Sequence, residues 1–190
     1  MKIDLAIEKV KPHLTDARFQ HTLRVADTAV KLAQIYHESV TKSELAAVFH
    51  DYAKYRPRSE MEHWIKKSTL PKDLLEYHTE LWHGPVGALL VETEHGITDS
   101  EIQDAIHYHT TGRANMSKLD KIIYLADYIE PGRDFPGVHE VREMAEQDLT
   151  KACWMASKNT ISHLMRKNTT VYPDSFYAYN DLTRQLNGGI

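Results

Sequence analysis

Apolar residues along the chain recur at spacings of three and four, and this predicts helices from end to end with no alternating run of the kind that builds a sheet. An amphipathic segment over about residues 2–10 stops near Pro12. Thr15 or Asp16 caps a second helix whose Phe19, Leu23, Ala26, Val30 and Ala33 predict one buried face. Ser43 with Leu45, Ala46, Val48 and Phe49 predicts a third helix that starts at the serine and ends near Pro57. A short helix follows over about 59–67, and Pro71 opens a further turn.

Gly84-Pro85 prepares a helix running to about Glu94, which Gly96 terminates. Thr98 and Glu101 have the spacing of a capping box for a helix through about His109, ended near Gly112. Ser117 and Asp120 form a weaker version ahead of Leu119, Ile122, Ile123, Ala126 and Ile129, a run closed by Pro131-Gly132. Three more helices are expected at about 139–147, 149–167 and 175–187. The expectation is an all-α helical bundle in a single domain spanning residues 1–190, since 190 residues suffice for one substantial core.

Composition narrows the class. Hydrophobic residues at 42% and charged residues at 26% are those of a soluble globular chain. Acidic residues interrupt the short apolar run at the N-terminus, so no secretory leader is expected. The best membrane candidate, from Ile122 to Ile129, is short and contains Asp127, so a cytoplasmic protein without membrane association is expected. A single cysteine, Cys153, leaves any metal to histidine and carboxylate. With 27 acidic against 23 basic residues the net charge is −4, which argues against wholesale nucleic-acid binding and leaves room for a small phosphorylated ligand on a local basic patch.

Twelve histidines are the unusual count. Those of interest are His21, His50 next to Asp51, His83 ahead of Gly84-Pro85, and His107 and His109 near a helix end. Asp127 interrupts an apolar helical run, where an unpaired buried carboxylate is costly and a divalent cation would remove the cost. Each has a plainer reading: a lone histidine is commonly a surface or hydrogen-bonded residue, and Asp127 could answer Lys118, Lys121 or an arginine. Helix bundles do hold metals with side chains from facing helices, but separation along the chain does not show that these groups meet.

Four stretches carry a resemblance: Phe49-His50-Asp51-Tyr52-Ala53-Lys54, His83 to Ala88, His107 to Arg113, and Lys121 to Arg133. Together they resemble the HD phosphohydrolase superfamily, named for its adjacent histidine and aspartate, and within it the bacterial HD-type symmetrical bis(5'-nucleosyl)-tetraphosphatases. The resemblance implies an HD domain with core motifs at about 18–133 and C-terminal helices completing or covering the site. It implies metal ligation by His21, His50, Asp51 and Asp127, with one or two ions, iron favoured and manganese or zinc also suited to such ligands.

The implied reaction is hydrolysis of diadenosine tetraphosphate, a small-molecule nucleotide polyphosphate, to two ADP. Asp51, His83 and His109 are the expected catalytic groups. Lys54, His83, His109, Arg113 and Arg133 are expected on the phosphates, because arginine clamps phosphate oxygens and lysine supplies a movable charge. Tyr172, in the aromatic tail, is the expected nucleoside contact. Alternatives are a mononucleotide phosphohydrolase and a non-catalytic nucleotide-binding protein. A homodimer is only a general expectation.

Overall fold

The structure is a computed structural model that describes residues 1–188; the last two residues of the expected 1–190 domain lie outside it. Among the described residues ten α-helices follow in order: α1 (Ile3–Val10), α2 (Asp16–Ile35), α3 (Val40–Phe49), α4 (Arg58–Lys67), α5 (His83–His95), α6 (Ser100–Tyr108), α7 (Lys118–Ile129), α8 (Val138–Ala145), α9 (Leu149–Arg166) and α10 (Pro173–Leu186). Short 3-10 turns at Lys11–His13, Lys72–Glu76 and Thr79–Leu81 complete them, and there is no strand among the described residues. The all-α expectation holds.

α7 is the axis of the bundle. It packs on α2, α3, α6, α8 and α9, and its Leu119, Ile122, Ile123, Leu125, Ala126 and Ile129 are all buried. A helix apolar on nearly every side belongs in an interior, and each large side chain taken from water contributes roughly 1.5–3 kcal/mol. One core cluster extends from Ala6 in α1 to Leu182 in α10, which makes the molecule a single domain. No helix among the described residues is long and apolar enough to cross a membrane.

Local signals set most helix ends. The Thr15 hydroxyl accepts from the Arg18 amide, and Ser117 with Asp120 makes a full capping box. Gly96 ends α5 at φ 65°, a left-handed conformation that glycine adopts without a Cβ penalty. Pro173 begins α10 two residues earlier than expected, its preset φ suiting the first helical position.

Several expectations need correction. α3 begins at Val40, capped by Ser39 accepting from the Lys42 amide, while Ser43 is buried inside the helix. α3 also ends at Phe49, well before Pro57, because the chain passes into successive tight turns in which the amides of Tyr52, Lys54 and Arg56 each bond a carbonyl three residues back. The α6 cap is Asp99, which accepts from the amides of Glu101 and Ile102, in place of the Thr98 box. On α2 the buried stripe runs through Thr22, Val25, Ala26, Ala29, Leu32 and Ala33, with Leu23 and Val30 at its edge.

Candidate metal centre

α3 drives its C-terminus into the core behind Ala46, Ala47, Val48 and Phe49, so His50 and Asp51 are both 0% exposed at the turn that follows. α2 supplies His21, α5 begins with His83, the residue after α6 is His109, and α7 supplies Asp127. Gly84 sets how closely α5 meets α6. A Cβ there would lie 2.6 Å from the His107 carbonyl oxygen, so only glycine lets the two helix ends bring His83 beside His109.

These six side chains converge. Asp51 uses its two oxygens in different directions: Oδ2 is 2.9 Å from His50 Nε2 and 3.7 Å from His21 Nε2, whereas Oδ1 is 3.1 Å from His83 Nε2 and 4.0 Å from His109 Nε2. Asp127 Oδ1 closes the first group, 3.0 Å from His21 Nε2 and 4.0 Å from His50 Nε2. Two donor sets result, His21–His50–Asp51 and Asp51–His83–His109, with Asp51 common to both.

The far nitrogen of every ring is fixed. His50 Nδ1 donates to the Ala47 carbonyl at 2.6 Å, His83 Nδ1 to that of Glu80 at 2.6 Å, and His109 Nδ1 to that of Ile106 at 2.8 Å. His21 Nδ1 donates to Glu130 Oε1 at 3.0 Å. Carbonyl oxygens only accept, so in the neutral rings Nδ1 carries the proton and the Nε2 lone pair faces the cluster, as metal-ligating histidines require. His21 Nε2, His50 Nε2 and both Asp51 oxygens are buried with no hydrogen bond, Oδ2 of Asp51 having only the Arg18 ion pair. Orphaned acceptors of this kind are costly, and a divalent cation satisfies them with nitrogen and oxygen donors. The donor set fits such an ion.

The model of the HD domain family matches residues 18–132, a span that holds all six of these side chains. The chain belongs to the HD family. It is 51% identical over 180 residues to the symmetrical bis(5'-nucleosyl)-tetraphosphatase of Bacillus subtilis, covering 95% of this chain and 97% of that protein. It is 45% identical to the protein of the same name from Staphylococcus aureus over 95% of this chain and 97% of that one. A crystal structure described as a predicted HD superfamily hydrolase involved in NAD metabolism, from Clostridium acetobutylicum, superposes with a TM-score of 0.91 at 38% identity, covering 97% of this chain and 98% of that one.

Burial opposes charge throughout the HD centre, yet its carboxylates stay ionised. The histidines around Asp51, His50 first, hold its carboxyl well below the usual range against desolvation. Asp127 is likewise lowered, by His21, His50 and Arg133. Desolvation lowers His50, but Asp51 and Asp127 outweigh it and the net shift is upward. That shift reports a negative field at Nε2 which favours any cation, proton or metal. His109 goes the other way, to about 3, through burial and the neighbouring His83 and His50, so its ring is neutral and its Nε2 is an acceptor.

Of the basic residues named from sequence, Arg133 reaches the HD centre: its NH2 donates to Asp127 Oδ1 at 2.6 Å and its Nε to the Asp127 carbonyl at 3.0 Å. Arg133 also lines a cleft of about 210 Å³ with His109, Thr110, Asp127 and Tyr128. Lys54 pairs with Glu80 at 2.6 Å, whose carbonyl anchors His83. Arg113 is engaged elsewhere, by Asp120 and Asp104, each at 2.8 Å. Tyr172 is buried edge-on against Tyr77, with its hydroxyl donating to Asp73 at 3.4 Å. His107, near the same helix end, stacks on Tyr108 and is not among the cluster's donors.

Sequence reasoning passed over three groups. Arg18 Nε lies 2.6 Å from Asp51 Oδ2, and its position one turn before His21 on α2 was a usable signal. Glu130 and Arg24 form the other omission: Arg24 Nε donates to Glu130 Oε2 at 2.5 Å while Oε1 holds His21. Glu130 sits at the end of the α7 run, but its partners lie more than a hundred positions away, at a separation of 109 for His21.

Proposed function

We propose that the protein is a metal-dependent symmetrical bis(5'-nucleosyl)-tetraphosphatase, which adds water across the central phosphoanhydride of diadenosine tetraphosphate and releases two ADP. One observation carries the reading: Asp51, 0% exposed, turns one oxygen to each of two histidine sets. Full-length relatives bearing that name support the substrate.

His21, His50, Asp51 and Asp127 would hold a first ion, and Asp51, His83 and His109 a second. Iron is the metal of this reading; manganese and zinc suit the same donors. A divalent ion there supplies Lewis acidity to a phosphate oxygen and acidifies water. With only the first position filled, the Nε2 lone pairs of His109 and His83 are free and would accept hydrogen bonds from the attacking water beside Asp51; with the second filled, the same lone pairs would ligate that ion instead. Arg133 and Arg18 lie beside the ligating carboxylates, and with Lys54 they balance the substrate phosphates. Arg113 and Tyr172 act on the substrate only indirectly in this proposal, because Arg113 is tied to Asp120 and Asp104 and Tyr172 to Asp73, none of which belongs to the donor cluster. The C-terminal helices cover the core motifs, and the whole chain of residues 1–190 acts as one cytoplasmic catalytic unit.

Product analysis tests the reaction. Iron-loaded protein is expected to convert diadenosine tetraphosphate to ADP alone, and Asp127→Asn to lose most of that activity. AMP plus ATP as products, or release of phosphate from a mononucleotide with the tetraphosphate untouched, would overturn the assignment.

A further inference from the structure

The cleft beside the HD centre, about 210 Å³, is smaller than the roughly 300–1,000 Å³ of pockets that bury a drug-sized ligand. A substrate with two nucleosides and four phosphates extends well beyond it. Three of the cleft's lining residues, Tyr128, Phe135 and Thr160, also line a neighbouring groove of about 730 Å³. The two spaces therefore share a wall, and Tyr128 follows Asp127 directly in the chain.

The groove has the chemistry of a base-binding slot. Tyr128 and Phe135 meet edge-on with ring centroids 5.0 Å apart at 80°, which fixes both rings against each other. Asn159 supplies amide donors and an acceptor, and His163 and Arg166, exposed on α9, form the outer lip. Aromatic walls bind any base by stacking, and the amide supplies hydrogen bonding.

We infer that this groove, formed between the α7–α8 connection and α9, receives the second nucleoside of the dinucleotide, the one on the far side of the cleaved bond from the first. The inference rests on the tetraphosphatase reading. It assigns Phe135 and His163 to substrate selection: they make a dinucleotide a better ligand than a nucleoside with the same four phosphates.

The test is equilibrium binding to the metal-loaded enzyme by titration calorimetry. One ligand is a diadenosine tetraphosphate with a central methylene bridge, which is not hydrolysed; the other is adenosine 5'-tetraphosphate. Phe135→Ala and His163→Ala are each expected to weaken the dinucleotide roughly tenfold, the scale of one lost base–aromatic stack. Under this assignment the mononucleoside ligand would keep its single base in the other nucleoside position and is expected to change less than about twofold. Equal weakening of both ligands, or of neither, overturns the subsite. So does a loss confined to Phe135→Ala that comes with a lowered melting temperature, because His163 is exposed and its truncation spares the core. No binding of the analogue to the wild type overturns it as well. Wild-type protein that binds both ligands but releases no ADP from the natural tetraphosphate refutes the reaction and leaves this comparison decisive for the groove.

Discussion

Glu130 Oε1 accepts the Nδ1 proton of His21 at 3.0 Å, and through that bond a carboxylate outside the donor cluster sets the tautomer of a ring inside it. Arg24 and the Gly132 amide, at 2.5 and 2.6 Å from Oε2, hold Glu130 in turn. Losing such an outer partner typically lowers metal affinity by about 10–100-fold. Glu130→Ala is expected to fall in that range in a chelator competition assay, with Glu130→Gln nearer wild type because its amide oxygen still accepts. Unchanged affinity in both variants would mean that His21 needs no such support.

The same residue gives a pH signature. Although burial alone would raise it, Arg24, His21 and the Gly132 amide bring the Glu130 carboxyl down from 4.5 to about 2. A group lowered on folding stabilises the fold fully above its unfolded value and loses that contribution as pH falls through 4.5 towards 2. In metal-free protein, the gap in urea midpoint between wild type and Glu130→Gln is therefore expected to be constant near neutrality and to close on acidification below about pH 5. A gap independent of pH would contradict the shift.

Asp51 is the group common to both donor sets, so its loss is not equivalent to losing a ligand of one. Asp51→Asn is expected to lower metal content at both positions together, with affinity down by more than about 100-fold, beyond the range for outer-shell partners. Elemental analysis after dialysis reads this directly. Loss at one position with full retention at the other would show that the carboxylate does not serve both.

Gly84→Ala places a methyl group 2.6 Å from the His107 carbonyl oxygen, whereas Gly87→Ala meets nothing closer than the Ala53 methyl at 3.6 Å. Overpacking against backbone costs roughly 1–3 kcal/mol, while an uncrowded Gly→Ala change in a helix is stabilising by up to about 1 kcal/mol. The two variants should move the melting temperature in opposite directions. Gly84→Ala should also weaken metal binding at the His83–His109 side, because α5 shifts relative to α6.

What the sequence determined by itself was local. Capping by Thr15, the Ser117–Asp120 box and the glycine stop at Gly96 act within a few residues, so they are legible in order along the chain. The apolar run of α7 marked its burial, and Asp127 within that run was a usable anomaly. The ligand list came from the family resemblance, whose four motifs hold every ligand but His21, and which names residues without saying how they are held. Only the tertiary structure decided the rest. Ser39 caps α3 where Ser43 had equal local merit, because packing buries Ser43. Arg133 turns to Asp127, while Arg113, equally near a motif, is taken by Asp120 and Asp104. Glu130 meets His21 across a separation of 109 residues, and the Tyr128–Phe135 groove is completed by α9. Caps and periodicity depend on neighbours three or four positions away, whereas these contacts depend on which helix faces which, and that follows from burying all the apolar stripes at once.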